Sequence, residues 1–194
     1  CYKMIDVYQQ IKPMLTFESE DDFYYLQILQ RKKENSQLGS NSRVIKNYYI
    51  KSVEQLEDQY DEIKALCIQF NARAMLRLNK RSLRKVAFKT MVNVANAISN
   101  QEYSFVKRCY DRACGDGHND KLKKWILDVD GALELEEHVD AAVRFVKPHC
   151  IIYCVLPTKN GAHIITSPFN LTGFSSQFPE VSVHKDNPIN LYIS

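Results

Sequence analysis

Residues 120–194 contain strand-like and helix-like runs in an order that restricts the possible folds. "KKWILDVD" (123–130) has the apolar content of a buried strand. A helical stripe follows and ends before Pro148. Its apolar members are Leu135, Val139, Ala142, Val143 and Val146. A second strand-like run, "CIIYCVLPT", occupies residues 150–158.

The rest of this region completes the pattern. "KNG" (159–161) contains an Asn-Gly pair, which favours a tight hairpin turn, and "AHIITSPF" (162–169) is the third strand. A short helix near 170–178 leads to "VSVHKD" and "INLYIS". The order β-α-β-β-α-β predicts an α+β unit: a split β-α-β, mostly antiparallel sheet with helices on one face.

The N-terminal part also alternates between strands and helices. "FYYLQILQ" (23–30) and "VIKNYYI" (44–50) are strand-like, and a loop rich in Ser, Asn and Gly (32–43) separates them. Ser52 and Gln55 form a capping-box pattern that begins an amphipathic helix.

"ARAMLRLN" (72–79) then alternates as a strand, and Ser82 caps a second helix. The predicted inward stripe of that helix is Val86, Thr90, Met91, Val94 and Ile98. A third helix is predicted near 101–113. We therefore predict a β-β-α-β-α-α module over residues 1–119 and a second unit over 120–194, which together form one compact catalytic unit.

Composition sets limits on the class of protein. The 194 residues suffice for one large domain or two small modules, and 45% hydrophobic with 25% charged residues is ordinary for a globular protein. No apolar run approaches the roughly 20 residues of a transmembrane helix, and no signal peptide is visible, so no membrane partner is expected. Six cysteines are too few for a disulfide scaffold of this length, which favours a reducing, cytoplasmic setting.

Carboxylates follow the apolar run at residues 125–127. Asp128 and Asp130 are two residues apart, so on a strand they share one face; alternatively Asp130-Gly131 is simply the turn at a strand end. A crossover that skips one place would set this strand beside the strand carrying His163, and Asp186 follows another short strand. Three carboxylates and a histidine on one face suit Mg²⁺ or Mn²⁺ in phosphoryl transfer.

Basic residues concentrate between positions 73 and 89, where no acidic residue occurs. They are Arg73, Arg77, Lys80, Arg81, Arg84, Lys85 and Lys89. Such a run is either a solvated face or a phosphate-binding surface. In the second case, Arg73, Arg77, Lys80 and Arg81 are the candidate contacts to a nucleic-acid template.

Three short motifs resemble those of the archaeo-eukaryotic primase superfamily. Leu127-Asp128-Val129-Asp130 resembles its hydrophobic-Asp-x-Asp motif, and "TKNGAHIIT" resembles its Ser-x-His motif, with His163 in the histidine position. Asp186 in "VHKDNPINLY" resembles its third motif. One departure is Gly161, which stands where the family usually has serine.

The resemblance implies an RRM-like palm and metal-dependent synthesis of RNA or DNA strands on a template. It implies metal binding by Asp128, Asp130 and Asp186, and nucleotide binding by His163, Lys159, Asn160 and Gly161. The implied partners are nucleoside triphosphates and a single-stranded nucleic-acid template, with a helicase or other replication proteins as further candidates.

Three other interpretations remain open from the sequence. "LDVDG" also resembles the first motif of haloacid-dehalogenase phosphatases, although Ala132 follows it. A non-catalytic RRM-like module would instead stack bases on aromatic side chains such as Tyr153. Cys109, Cys114 and His118 invite a zinc site, but their spacing matches no strong zinc pattern, and none is predicted.

Overall fold

The computed structural model describes residues 4–116, 122–131 and 134–194. Over these residues the chain forms six α-helices and ten β-strands. The helices are α1 Tyr8–Ile11, α2 Val53–Phe70, α3 Leu83–Ser99, α4 Cys109–Gly115, α5 Leu135–Val146 and α6 Thr172–Gln177. The strands are β1 Ile5–Asp6, β2 Asp22–Gln30, β3 Arg43–Ile50, β4 Arg73–Arg77, β5 Arg81–Ser82, β6 Trp125–Asp130, β7 Ile152–Pro157, β8 Gly161–Thr166, β9 Ser182–His184 and β10 Pro188–Ile193.

The first sheet has the strand order β1-β10-β4-β2-β3, and the short β5 pairs with β2. Helix α2 packs on this sheet through Leu56, Tyr60, Ile63 and Cys67, which are buried at the predicted helical spacing. The Ser52 hydroxyl accepts a hydrogen bond from the Gln55 backbone N–H, which confirms the predicted N-cap. The predicted elements of the N-terminal module follow in the order β2, β3, α2, β4, α3 and α4, and the structure adds β1, α1 and β5, which were not predicted.

The second sheet has the strand order β7-β8-β6-β9, and every neighbouring pair is antiparallel. β6 lies beside β8, as the predicted crossover requires. Helices α5 and α6 cover one face through Val139, Ala142 and Phe174. The other face contributes Ile126, Leu156 and Ile165 to the core of the first sheet. The polar end of that second face therefore lies where the two sheets meet.

The last strand differs from the sequence-based expectation. β10 pairs with β4 and β1 and so belongs to the first sheet, although its sequence lies within the predicted second unit, 120–194. Its residues Ile189 and Leu191 are fully buried in the core of the first sheet. β10 thus lies between β1 and β4, where its apolar side chains complete the core of the first sheet.

Helix α3 is more exposed than its apolar stripe predicts. Val86 is buried as expected, but the side chains of Met91 and Ile98 are 68% and 51% exposed, and Ala97 is buried instead. Helix α3 lies at the edge of the fold. On one side it contacts α4 and the 3-10 helix Tyr103–Arg108, which lies between α3 and α4 in the chain. The prediction was wrong at Met91 and Ile98, whereas Thr90 and Val94 are partly buried, because helical spacing identifies an apolar side but not how much of it another element covers. Within residues 4–116, 122–131 and 134–194, none of the helices has the length and the apolar content of a membrane span.

Candidate active site

A cavity of about 460 Å³ lies between the two sheets, and every residue that lines it is polar or charged. The first sheet contributes Arg73 from β4 and Asn190 from β10, and the β2–β3 loop adds Arg31, Lys33 and Glu34. The second sheet contributes Asp128, Asp130 and His163, and its β7–β8 turn adds Thr158, Lys159 and Asn160. The cavity therefore suits a charged, hydrophilic ligand.

Asp128 and His163 are directly opposite each other on β6 and β8. Nε2 of His163 lies 3.2 Å from Oδ1 of Asp128. This hydrogen bond lowers the pKa of Asp128 below its usual value, against the opposing effect of partial burial. The carboxylate thus stays ionised and oriented. The predicted adjacency of these two strands is confirmed.

His184 is a residue of this site that the sequence did not indicate. Nε2 of His184 lies 3.8 Å from Oδ2 of Asp128, so histidines approach both oxygens of the carboxylate. His184 is on β9, which pairs with β6 on the side away from β8. A three-residue strand is too short to show a periodic pattern, so the only available signal was the alternation of Ser182 and His184 around Val183.

Asp130 is the last residue of β6 and lines the same cavity. Gly131 follows it with a φ of 135°, which favours glycine, and its backbone N–H donates to the carbonyl of Asn160. Asp130-Gly131 is therefore both the end of a strand and part of a polar cavity wall, so the two interpretations of this segment are compatible.

Lys159 and Asn160 are at the centre of the β7–β8 turn, which the Thr158 N–H to Gly161 carbonyl hydrogen bond closes. Gly161 is the last residue of this turn and not one of its two central residues, in contrast to the predicted Asn-Gly turn. It is the first residue of β8 and lies opposite Asp130. A Cβ atom at position 161 would overlap the backbone oxygen of Val129. This position therefore has no room for a side chain while β6 and β8 keep their spacing.

Gly161→Ala is expected to destabilise the fold by about 1–3 kcal/mol or more, because the new methyl group must push β6 away from β8. Urea unfolding measures the loss. Gly39→Ala is the matched control, because nothing lies within 4 Å of a Cβ there. Equal stabilities of the two variants would contradict the steric explanation.

Asp186 does not line the cavity. Its carboxylate accepts hydrogen bonds from Nη1 and Nη2 of Arg81 at 2.9 and 2.8 Å. Nη1 of Arg77 donates to the Asp186 backbone carbonyl, and Nδ2 of Asn79 donates to its carboxylate. Asp186 thus connects the loop after β9 to the segment after β4. The structure does not bring the third predicted metal ligand together with Asp128 and Asp130.

The four basic residues predicted to contact a template have different surroundings. Arg73 faces the cavity, whereas Arg77 and Arg81 both pair with Asp186. Arg81 is fully buried and also donates to the carbonyls of Asn79 and Cys114. Lys80 is buried with its Nζ 3.3 Å from Oδ2 of Asp22. Of these residues, Arg73 is the one that meets the site.

Glu34, which the sequence placed in a loop without a role, pairs with two cations of the cavity. Nε of Arg73 donates to its Oε2 at 2.9 Å, Nη2 of Arg73 donates to its Oε1, and Nζ of Lys159 lies 3.3 Å from Oε1. Burial by itself raises the pKa of Glu34. The hydrogen bonds and charges of Arg73 and Lys159 together lower it by more, so the net pKa lies below its usual value. Glu34 is therefore an ionised bridge between the two sheets.

Asp128 and Asp130 are the residues that fit a divalent cation. The described part of the chain has no group of three or more His, Cys, Asp or Glu side chains placed to hold a metal ion. Mg²⁺ commonly takes only one or two carboxylates and completes its shell with water and substrate phosphates, so Asp128 and Asp130 are the residues that could hold such an ion. Cys109 and Cys114 are buried and unbridged, and His118 of the rejected zinc pattern lies outside the described residues.

No known protein family, curated protein or solved structure matches this chain.

Proposed function

We propose that the chain is a metal-dependent, template-directed nucleotidyltransferase of the primase or primase-polymerase type. The observation that carries the proposal is the pair Asp128–His163 across β6 and β8, with Asp130 and Lys159 on the same sheet and Arg73 of the first sheet lining the same cavity. A carboxylate pair facing a set of cations is the arrangement that a metal-bound triphosphate needs.

Each residue has a separate task in this proposal. Asp128 and Asp130 would hold Mg²⁺ or Mn²⁺, which activates a hydroxyl nucleophile and stabilises the leaving pyrophosphate when bound. His163 orients the Asp128 carboxylate through their hydrogen bond. Arg73 and Lys159 offer guanidinium and ammonium donors to phosphate oxygens. Asp186 has no part in this proposal, because its carboxylate does not line the cavity and pairs with Arg81 instead.

The strand order supports the finer fold assignment within this proposal, an RRM-like palm. In a split β-α-β sheet the first strand lies between the third and the fourth, and β6 lies between β8 and β9 in the same way. We further propose a cytoplasmic setting, for which the free cysteines of the described residues are the support. A single-stranded template, nucleoside triphosphates and replication proteins such as a helicase are the proposed partners.

The two alternative functions have less support. Haloacid-dehalogenase phosphatases carry their aspartate on a Rossmann-like, mostly parallel sheet, whereas both neighbours of β6 are antiparallel. A base-stacking RRM-like module needs aromatic residues on an open face. Here Tyr153 packs against the core of the first sheet, and the Nζ of Lys124 lies 5.4 Å from its ring centroid.

Incorporation of labelled nucleotides on single-stranded DNA tests the proposal. Ribo- and deoxyribonucleotides are assayed separately with Mg²⁺ and with Mn²⁺. We expect a labelled product that EDTA abolishes and excess Mn²⁺ restores. Template binding without product under every metal and nucleotide combination would favour the non-catalytic alternative, and full activity in EDTA would contradict the metal assignment.

A further inference from the structure

The guanidinium of Arg73 is held almost entirely by oxygen acceptors in the wall of the cavity. Nε and Nη2 donate to the two oxygens of Glu34, and Nη1 donates to Oδ1 of Asn190 at 3.4 Å. The Arg73 side chain is only 7% exposed, and that of Glu34 is 17% exposed. Such a two-point pairing is the geometry with which arginine also binds phosphate.

The backbone around Glu34 is anchored independently of this ion pair. Nδ2 of Asn71, the left-handed residue that ends α2, donates to the Glu34 carbonyl at 3.1 Å. Asn35 donates to the carbonyls of Arg31 and Asn71 at 2.9 and 3.0 Å. The Glu34 side chain can therefore rotate away from Arg73 while the loop keeps its position.

We propose that Glu34 occupies the phosphate position of the cavity and that a polyphosphate must displace it to reach Arg73 and Lys159. This inference rests on the proposed function, and it adds how the site distinguishes a polyphosphate from a single phosphate. A triphosphate carries several negative charges and bridges both cations, so it replaces one carboxylate with a net gain. Inorganic phosphate carries fewer charges and reaches fewer donors, so it competes poorly. Glu34 thus selects polyphosphates over single phosphates.

Thermal unfolding in the presence of tripolyphosphate or inorganic phosphate, without metal or template, tests this selection. Wild type is compared with Glu34→Gln, which keeps a polar side chain but removes the charge. We expect Glu34→Gln to unfold at a lower temperature without anion, because Arg73 loses its charged partner. The tripolyphosphate concentration that gives half of the maximal stabilisation should be about tenfold lower for Glu34→Gln than for wild type, since the anion no longer competes with a carboxylate. Inorganic phosphate should stabilise this variant and leave wild type nearly unchanged.

Two further variants make the result specific. Glu62→Gln is the control, because Glu62 pairs with Lys46 on β3 and does not line the cavity; its response to both anions should equal that of wild type. Glu34→Asp keeps the negative charge. It takes the place of Glu34→Gln in the experiment if Glu34→Gln does not fold. Its shorter side chain cannot reach both cations. Tripolyphosphate should therefore bind this variant about threefold more tightly than wild type, which is a smaller gain than the one expected for Glu34→Gln. Equal half-saturating concentrations in wild type and the Glu34 variants would overturn the inference.

The readout separates this inference from the proposed function. Nucleotide incorporation by wild type, together with unchanged anion binding in the Glu34 variants, overturns the inference and leaves the function. If Glu34→Gln binds the anions more tightly but wild type incorporates no nucleotide, the proposed function is overturned and the anion site remains.

Discussion

Replacing Asp128 by asparagine is expected to lower nucleotide incorporation about 10³-fold or more while the protein stays folded. The proposed metal ligand loses its charge, and metal stabilisation of the reacting phosphate amounts to several kcal/mol. The fold should tolerate the change, because the Asp128 side chain is 26% exposed and asparagine still accepts a hydrogen bond from His163. We expect a loss of at most about 1.5 kcal/mol in the free energy of unfolding, as for a typical single hydrogen bond.

Incorporation rate and urea unfolding are measured on the same preparations of wild type, Asp128→Asn and Asp140→Asn. Asp140 is an exposed aspartate on α5, so the same substitution there should change neither quantity. An Asp128→Asn variant with wild-type incorporation would remove Asp128 from the metal site. A variant that fails to fold would instead show that the carboxylate is structural.

Asp186→Ala is expected to have the opposite signature, a large loss of stability. Arg81 is fully buried, and removing its carboxylate partner leaves an unpaired charge inside the protein. Breaking a buried ion pair in this way costs about 3–5 kcal/mol, and the partial exposure of Asp186 places the expected loss near the lower end, about 3 kcal/mol. The urea concentration at the midpoint of unfolding should fall accordingly. If Asp186 were instead a third metal ligand, Asp186→Ala would lose activity and keep its stability.

The control for this experiment is Asp116→Ala. Asp116 lies 3.7 Å from Lys89 in an ion pair near the surface, so its removal should cost less than about 1 kcal/mol. The double variant Asp186→Ala with Arg81→Leu removes the orphaned charge and should recover part of the lost stability. If Asp186→Ala is as stable as wild type but inactive, Asp186 acts at the site and the ion-pair explanation is wrong.

The part of the site that could be predicted is the part encoded in short-range patterns. The spacing of Asp128 and Asp130 placed them on one face of a strand, and the order of strands and helix placed β6 beside β8. Those two steps predicted that the strand of Asp128 lies beside the strand of His163, and the register that sets the two residues opposite each other came from the structure. Glu34 and His184 were missed because one ends a 3-10 helix of three residues and the other ends a strand of three residues, and neither is long enough to show periodicity.

The amino-acid sequence by itself determined the longer secondary elements, the caps of α2 and α3 and the place of β8 beside β6, because each depends on residues close in the chain or on the apolar pattern of one unit. Only the tertiary structure decided which sheet takes β10, whether α3 is covered, and which charges pair. Arg81 and Asp186 are 105 positions apart, and Arg73 and Glu34 are 39 apart. A charged side chain has several partners of opposite sign in the sequence, and the one it pairs with depends on which elements pack together, since burial makes an unpaired charge costly.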